Sequence, residues 1–113
     1  MNSRAKGKRG ELLWRDELRA QGFDAKRGQQ HSGSPDSPDV VCPGLPWASW
    51  EVKLVQALNI EEAMAQARRD AGPTKLPLVA HKRNHKGWLV TMDADSFFRL
   101  LREDLPTQTD PTP

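Results

Sequence analysis

Pro38-Asp39-Val40-Val41 and, twelve residues on from Asp39, Glu51-Val52-Lys53 set two carboxylates and a lysine into otherwise apolar, strand-like surroundings. Side chains alternate along a strand, so residues two apart share a face. Glu51 and Lys53 therefore project together, with Cβ atoms roughly 6–7 Å apart, while Trp50, Val52 and Leu54 form an unbroken apolar row on the other side. A Glu-x-Lys pair also occurs as an ion pair on exposed edge strands. The neighbouring Trp47, Trp50, Val52, Leu54 and Val55 instead predict a strand surrounded by protein. There a glutamate needs a cation or hydrogen bonds to offset its desolvation. Lys53 provides part of that, and a divalent metal would provide more. Aspartate after proline is commonly a turn residue, but Val40 and Val41 continue at once as strand. Asp39 thus stands where a polar loop becomes sheet, a position suited to binding a cation.

Working outward, residues 5–21 read as a helix with Leu13, Trp14 and Leu18 on its apolar stripe and Gly22 at its end. Phe23 to Arg27 reads as a first strand, residues 28–37 as a polar loop, Asp39 to Cys42 as a second strand and Trp47 to Leu54 as a third. Asn59 is placed to cap a second helix running to about Ala71, with Glu61 and Glu62 in its first turn and Gly72-Pro73 ending it. Leu76 to His81 and Gly87 to Met92 read as a fourth and a fifth strand, joined by the basic turn Lys82 to Lys86. Asp93 or Asp95 caps a last helix bearing Phe97, Phe98, Leu100 and Leu101, apolar residues that serve either the core or a partner subunit. The order α-β-β-β-α-β-β-α predicts an α/β fold, one mixed sheet of five strands with flanking helices. Residues 1–105 are expected to form one domain and 106–113, rich in Pro and Thr, a disordered tail.

Composition narrows the class. At 113 residues, 28% of them charged and 36% hydrophobic, the chain suits a soluble protein. No apolar run approaches the ~20 residues that span a bilayer. The basic amino terminus is followed by no hydrophobic segment, so a signal peptide is not expected. A single cysteine, Cys42, excludes an internal disulfide and fits a reducing cytoplasm; its apolar setting predicts a buried, inert thiol. The net charge of +2 conceals an uneven distribution. Residues 1–30 carry eight Lys and Arg against four acids, and residues 75–87 carry Lys75, Lys82, Arg83 and Lys86 with no acid. Two basic segments flanking a neutral middle suit a polyanion, although solvated lysines and arginines would give the same count.

Glu11 is the third carboxylate of interest. It precedes Trp14 by three residues and Leu18 by seven, which places it on the stripe facing the sheet. A first-turn acid suits the helix dipole, but that does not account for its place on the apolar side. Together these residues match the needs of phosphodiester hydrolysis. Asp39 and Glu51 supply hard oxygen ligands for Mg²⁺, Glu11 a direct or water-bridged contact, and Lys53 a compact charge for the attacking water or the phosphorane oxygens. Arg9, Arg27, Lys82, Arg83 and Lys86 are the candidate phosphate contacts, joined by Lys6 and Lys8 of the basic amino terminus. His81 and His85 bracket the basic turn without enough further ligands for zinc.

Gly10-Glu11, Pro38-Asp39 and Glu51-Val52-Lys53 resemble the PD-(D/E)xK nuclease superfamily. Within it the chain is similar to archaeal and phage-type Holliday-junction resolvases, with counterparts in the basic stretch Lys6 to Glu11, Gly22-Phe23, Arg27, Ser32-Gly33, Pro38-Asp39 and Glu51-Val52-Lys53, all in the same order. The resemblance implies a restriction-endonuclease-like core and a cytoplasmic homodimer, in a bacterial, archaeal or phage-infected cell. That dimer would bind four-way DNA junctions and make paired nicks with Mg²⁺ or Mn²⁺. It also implies metal ligation by Asp39, Glu51, Glu11 and the Val52 backbone carbonyl, and a DNA contact from Ser32, for which His31 and Ser34 are also candidates. Gln66 stands where some of these nucleases carry a motif glutamine, though a solvated helix residue would read the same. Two alternatives share much of this pattern: a nickase of the same superfamily acting on flap or duplex DNA, and a DNA-binding module without catalysis.

Overall fold

The computed structural model describes residues 3–28 and 39–106, with the side chains of 3–6 left aside. The element order is that expected: α1 (Ser3–Ala20), β1 (Lys26–Arg27), β2 (Val40–Val41), β3 (Ala48–Leu54), α2 (Ile60–Ala71), β4 (Leu76–Lys82), β5 (Leu89–Met92) and α3 (Ala94–Leu101), with a 3₁₀ turn over Gly72–Thr74. The loop at 29–38 and the end of the tail, 107–113, lie outside the described residues.

The strands form one mixed sheet in the order β1-β2-β3-β4-β5. β1, β2 and β3 are antiparallel neighbours, β3 and β4 run parallel, and β5 returns antiparallel to β4. A parallel pair needs a crossover, and α2 supplies it. Trp14 and Leu18 of α1 pack with Trp50, Val52, Leu78 and Ala80 on one face. Ala63, Met64 and Ala67 of α2 pack against Val79 on the other. β3 is thus covered on both sides, which is why six of its seven residues are buried, Ser49 and Glu51 included.

Local chemistry accounts for the ends of these elements. Gly22 (φ +94°) closes α1: its N–H donates to the Arg19 carbonyl and that of Phe23 to the Leu18 carbonyl, both at 3.0 Å. That cap occupies Phe23, which shortens β1 from the expected Phe23–Arg27 to two residues. Asn59 caps α2 as expected, its side chain accepting the Glu62 N–H at 3.1 Å. Asp93 holds the N-cap position of α3 but does not cap with its side chain. Its carboxylate instead receives a two-pronged contact from Arg68 of α2, at 2.6 and 3.2 Å. β5 begins at Leu89 rather than Gly87, after a turn in which His85 is left-handed (φ +61°).

Gly10 lets α1 lie close on β3. A Cβ there would stand 3.2 Å from the Leu54 Cβ and 3.6 Å from the Val52 Cγ1. Gly10→Val is expected to lift α1 from the sheet and cost about 1–3 kcal/mol, read as a lowered urea midpoint; an unchanged midpoint would show that the approach is not tight.

Candidate active site

Asp39 and Glu51 meet across the β2–β3 ladder. Val40 pairs with Trp50, so Asp39 stands opposite Glu51 on the face covered by α2, the face that Glu51 shares with its β4 partner Val79. Asp39 is anchored by the Val52 N–H, which donates to its Oδ2 at 2.9 Å, while its own N–H donates to the Trp50 carbonyl at 3.0 Å. The Lys53 ammonium lies 3.7 Å from Glu51 Oε1 and is about one-third exposed, whereas Glu51 is 3% exposed. The arrangement expected from residue spacing along β3 is present.

The electrostatics are dominated by burial. Desolvation, then the charge of Asp39 and a hydrogen bond with it, push Glu51 up to about 9, opposed by Lys53. A hydrogen bond with Asp70, near the end of α2, adds to the rise. Glu51 Oε2 is buried without a hydrogen-bond partner among the described residues. A buried carboxylate oxygen with no donor, beside a second carboxylate, is a place where a cation would relieve both like-charge repulsion and lost hydration.

Glu11 is brought near but engaged elsewhere. It is 8% exposed, on the sheet-facing side of α1 as expected, and its Oε1 accepts from Arg27 Nε at 2.6 Å. Burial raises its pKa; Arg27 and Lys53 oppose this while the charge of Asp39 adds to it. Among the described residues no three acids, histidines or cysteines are gathered closely enough to hold one metal ion. Asp39 and Glu51 are the two carboxylates that could hold a cation between them, with Glu11 near Asp39 at the margin and engaged by Arg27. That suits Mg²⁺, which keeps several waters and takes one or two protein carboxylates. Arg27, expected as a phosphate contact, is here the counter-ion of Glu11. Arg27→Ala is expected to destabilise the fold by about 1–2 kcal/mol, because Glu11 is left buried without its cation while Arg27 itself is partly exposed. Adding Glu11→Gln should recover most of that loss in urea unfolding; a double variant no more stable than Arg27→Ala would show that the pair does not couple.

The other candidates are spread around this centre. Gln66 and Lys53 line one shallow cavity of about 230 Å³ between β3 and α2. Past Val55 and Leu58 it adjoins a cavity of about 500 Å³ at the β4–β5 hairpin, lined by Arg83 and Lys86. Arg9 and His85 line a further cavity with Lys82, and Lys8 is exposed. Lys82 is not a free cation: its ammonium donates to the Lys86 carbonyl at 2.8 Å and the Arg83 carbonyl at 3.4 Å, bracing the hairpin. His81 is half-buried and bonded to the Thr91 hydroxyl at 2.8 Å, and burial lowers its pKa. Cys42 is buried, as expected. Ser32, His31 and Ser34 lie outside the described residues, as does the side chain of Lys6. Asp70 was missed by the sequence reading. Its signal was an acid three residues beyond Ala67 and seven beyond Ala63, on the side of α2 that faces the sheet.

A five-stranded mixed sheet between helices, with an aspartate at the start of one middle strand and Glu-x-Lys on the next, is the restriction-endonuclease-like fold of the PD-(D/E)xK type. No protein-family model matches the chain, and no curated protein matches it either. Among solved structures, the chain is similar to Hjc of Archaeoglobus fulgidus, a Holliday junction resolvase from an archaeal hyperthermophile. The two are 29% identical with a TM-score of 0.53, over 77% of this chain and 72% of that one. No helix among the described residues is long and apolar enough to cross a membrane.

Proposed function

We propose that this chain is a metal-dependent, structure-selective endodeoxyribonuclease, a Holliday-junction resolvase that acts as a homodimer and makes paired nicks in four-way DNA junctions. The observation that carries the reading is the buried Asp39–Glu51 pair, with one carboxylate oxygen lacking a donor and Lys53 at 3.7 Å. Such a pair is costly to the fold and is accounted for by a cation. The similarity to Hjc directs the choice of substrate.

Asp39 and Glu51 would hold Mg²⁺ or Mn²⁺, with the Val52 carbonyl and, through water, Glu11 as further ligands. When bound, the metal would activate a water and offset charge on the scissile phosphate. The remaining work falls to the chain. Glu51 gives up the proton that burial and Asp39 make it hold. The Val52 amide keeps Asp39 aimed at the same point. Lys53, solvent-accessible on one side and close to Glu51 on the other, orients the nucleophile and neutralises the phosphorane oxygens. Arg83, Lys86, Arg9 and Lys8 hold the phosphates of the arms, which sets affinity and its salt dependence rather than base preference.

The test compares a synthetic four-way junction, a flap, a linear duplex and a single strand, with Mg²⁺ and with a chelator. Metal-dependent, symmetrically related nicks on opposite strands of the junction are expected. A preference for the flap or duplex would favour a nickase of the same superfamily. Binding with no metal-dependent cutting of any substrate would overturn the enzyme reading in favour of a DNA-binding module.

A further inference from the structure

The β4–β5 hairpin carries a second concave feature, apart from Asp39 and Glu51. Its cavity of about 500 Å³ falls within the roughly 300–1,000 Å³ of small-ligand sites. Part of its wall is apolar: Trp88, fixed by Trp14 with ring centroids 4.9 Å apart, and Leu89, which is 62% exposed. The charged residues of the wall are all cations, Lys82, Arg83 and Lys86. Lys82 is committed to the hairpin carbonyls. Arg83 and Lys86 are exposed, and neither has an acid partner among the described residues. Two polar side chains of the lining are held in place. The Asn84 N–H donates to Gln56 Oε1 at 2.7 Å, and His81 Nε2 is bonded to the Thr91 hydroxyl at 2.8 Å. Each has a second nitrogen for an incoming group. An apolar wall, fixed hydrogen-bonding groups and a cationic rim together are complementary to an anion that carries a planar ring.

We propose that this cavity receives the base of an unstacked nucleotide of the DNA, with Arg83 and Lys86 on the adjoining phosphates. Position selects a nucleotide within a strand over a free one. His81 pairs with Lys53 in the parallel β3–β4 ladder, so the two share a face on strands about 4.8 Å apart. The cavity also shares Val55 and Leu58 with the one lined by Lys53 and Gln66. A strand whose scissile phosphate lies at Lys53 therefore brings a neighbouring nucleotide to the cavity. Gln56 and His81 meet the edge of its base, while Trp88 and Leu89 keep water from the ring. Extruding a base costs least where pairing is already interrupted, as at a branch point. The cavity thus favours branched or single-stranded DNA over continuous duplex. In that respect it rests on the proposed function and adds a physical basis for its structure selectivity.

The test is fluorescence anisotropy, in chelator, of a short labelled thymidine oligomer and of an abasic oligomer of the same length and charge. The full chain should bind the thymidine oligomer at least about fivefold more tightly. Leu89→Ser removes part of the apolar wall at an exposed position without changing the charge. It should erase most of that preference with an unchanged far-UV circular dichroism spectrum. Arg83→Gln should instead weaken both oligomers alike and lower the salt dependence. Equal affinity for the two oligomers would overturn the proposal and leave an electrostatic surface only. A preference that survives Leu89→Ser would overturn it too. So would thymidine monophosphate binding as tightly as the oligomer, since a free nucleotide would then be the ligand. Neither metal nor cleavage enters these measurements. A chain that cuts junctions but ignores bases, and one that captures bases without cutting, are therefore separate results.

Discussion

Glu51→Gln is expected to cleave junction DNA on the order of 10³-fold more slowly than the parent and, at neutral pH in the absence of metal, to be the more stable protein. Both effects arise from one buried carboxyl. Burial and Asp39 raise Glu51 from 4.5 to about 9, so the folded chain carries a proton that the unfolded chain has already released. Between those two values the unfolded state binds fewer protons, and the parent therefore loses stability as pH rises. The slope is at most about 1.4 kcal/mol per pH unit, and Lys53 is already among the influences that set the folded value, so the loss across the window is several kcal/mol at most. Below 4.5 both states are protonated and this contribution to stability is fully present. Glutamine does not titrate, and its amide can donate to Asp39, so the share of the slope that Glu51 contributes should vanish. Urea unfolding with a chelator at several pH values between 4.5 and 9 reads the effect. A parent with flat stability across that window would mean that Glu51 ionises freely. A glutamine variant that cuts as fast as the parent would remove Glu51 from the site.

Asp39→Asn and Asp39→Ala are expected to be about equally inactive, again on the order of 10³-fold, but to differ in stability. Asp39 Oδ2 accepts the buried Val52 N–H at 2.9 Å. Asparagine keeps an oxygen for that amide, whereas alanine leaves the donor orphaned at a cost of about 1–3 kcal/mol. Both variants should bind a four-way junction at least as well as the parent, since each removes a negative charge from the side that would meet phosphate. Rates, midpoints and junction affinities of the three proteins separate the two roles. Parent-like cutting by the asparagine variant would sink the assignment. Equal stability of the two variants would show that the Val52 bond contributes little.

Much of this was legible without coordinates, because it is local. Side-chain alternation puts Glu51 and Lys53 on one face wherever the strand lies, helical spacing puts Glu11 in line with Trp14, and the Asn59 and Gly22 caps depend on a few neighbouring residues. The partnerships were not legible in the same way. Arg27 and Glu11 are sixteen residues apart and meet because β1 runs beside α1. Asp70 reaches Glu51 only because α2 covers that face of β3. Lys82 reads as a surface cation until the hairpin carbonyls close around it.

The chain by itself determined the order of its elements, the strand positions of Glu51 and Lys53, the place of Asp39 at the entry to β2 (which is Val40–Val41 rather than the expected Asp39–Cys42), and an amphipathic last helix. Each follows from short-range periodicity and backbone preference. Only the tertiary structure decided that α1 and α2 take opposite faces of the sheet, that Glu51 is thereby buried enough to hold a proton, and that the apolar stripe of α3 is turned outward. Periodicity fixes which residues share a face; what covers that face depends on contacts between residues far apart in sequence.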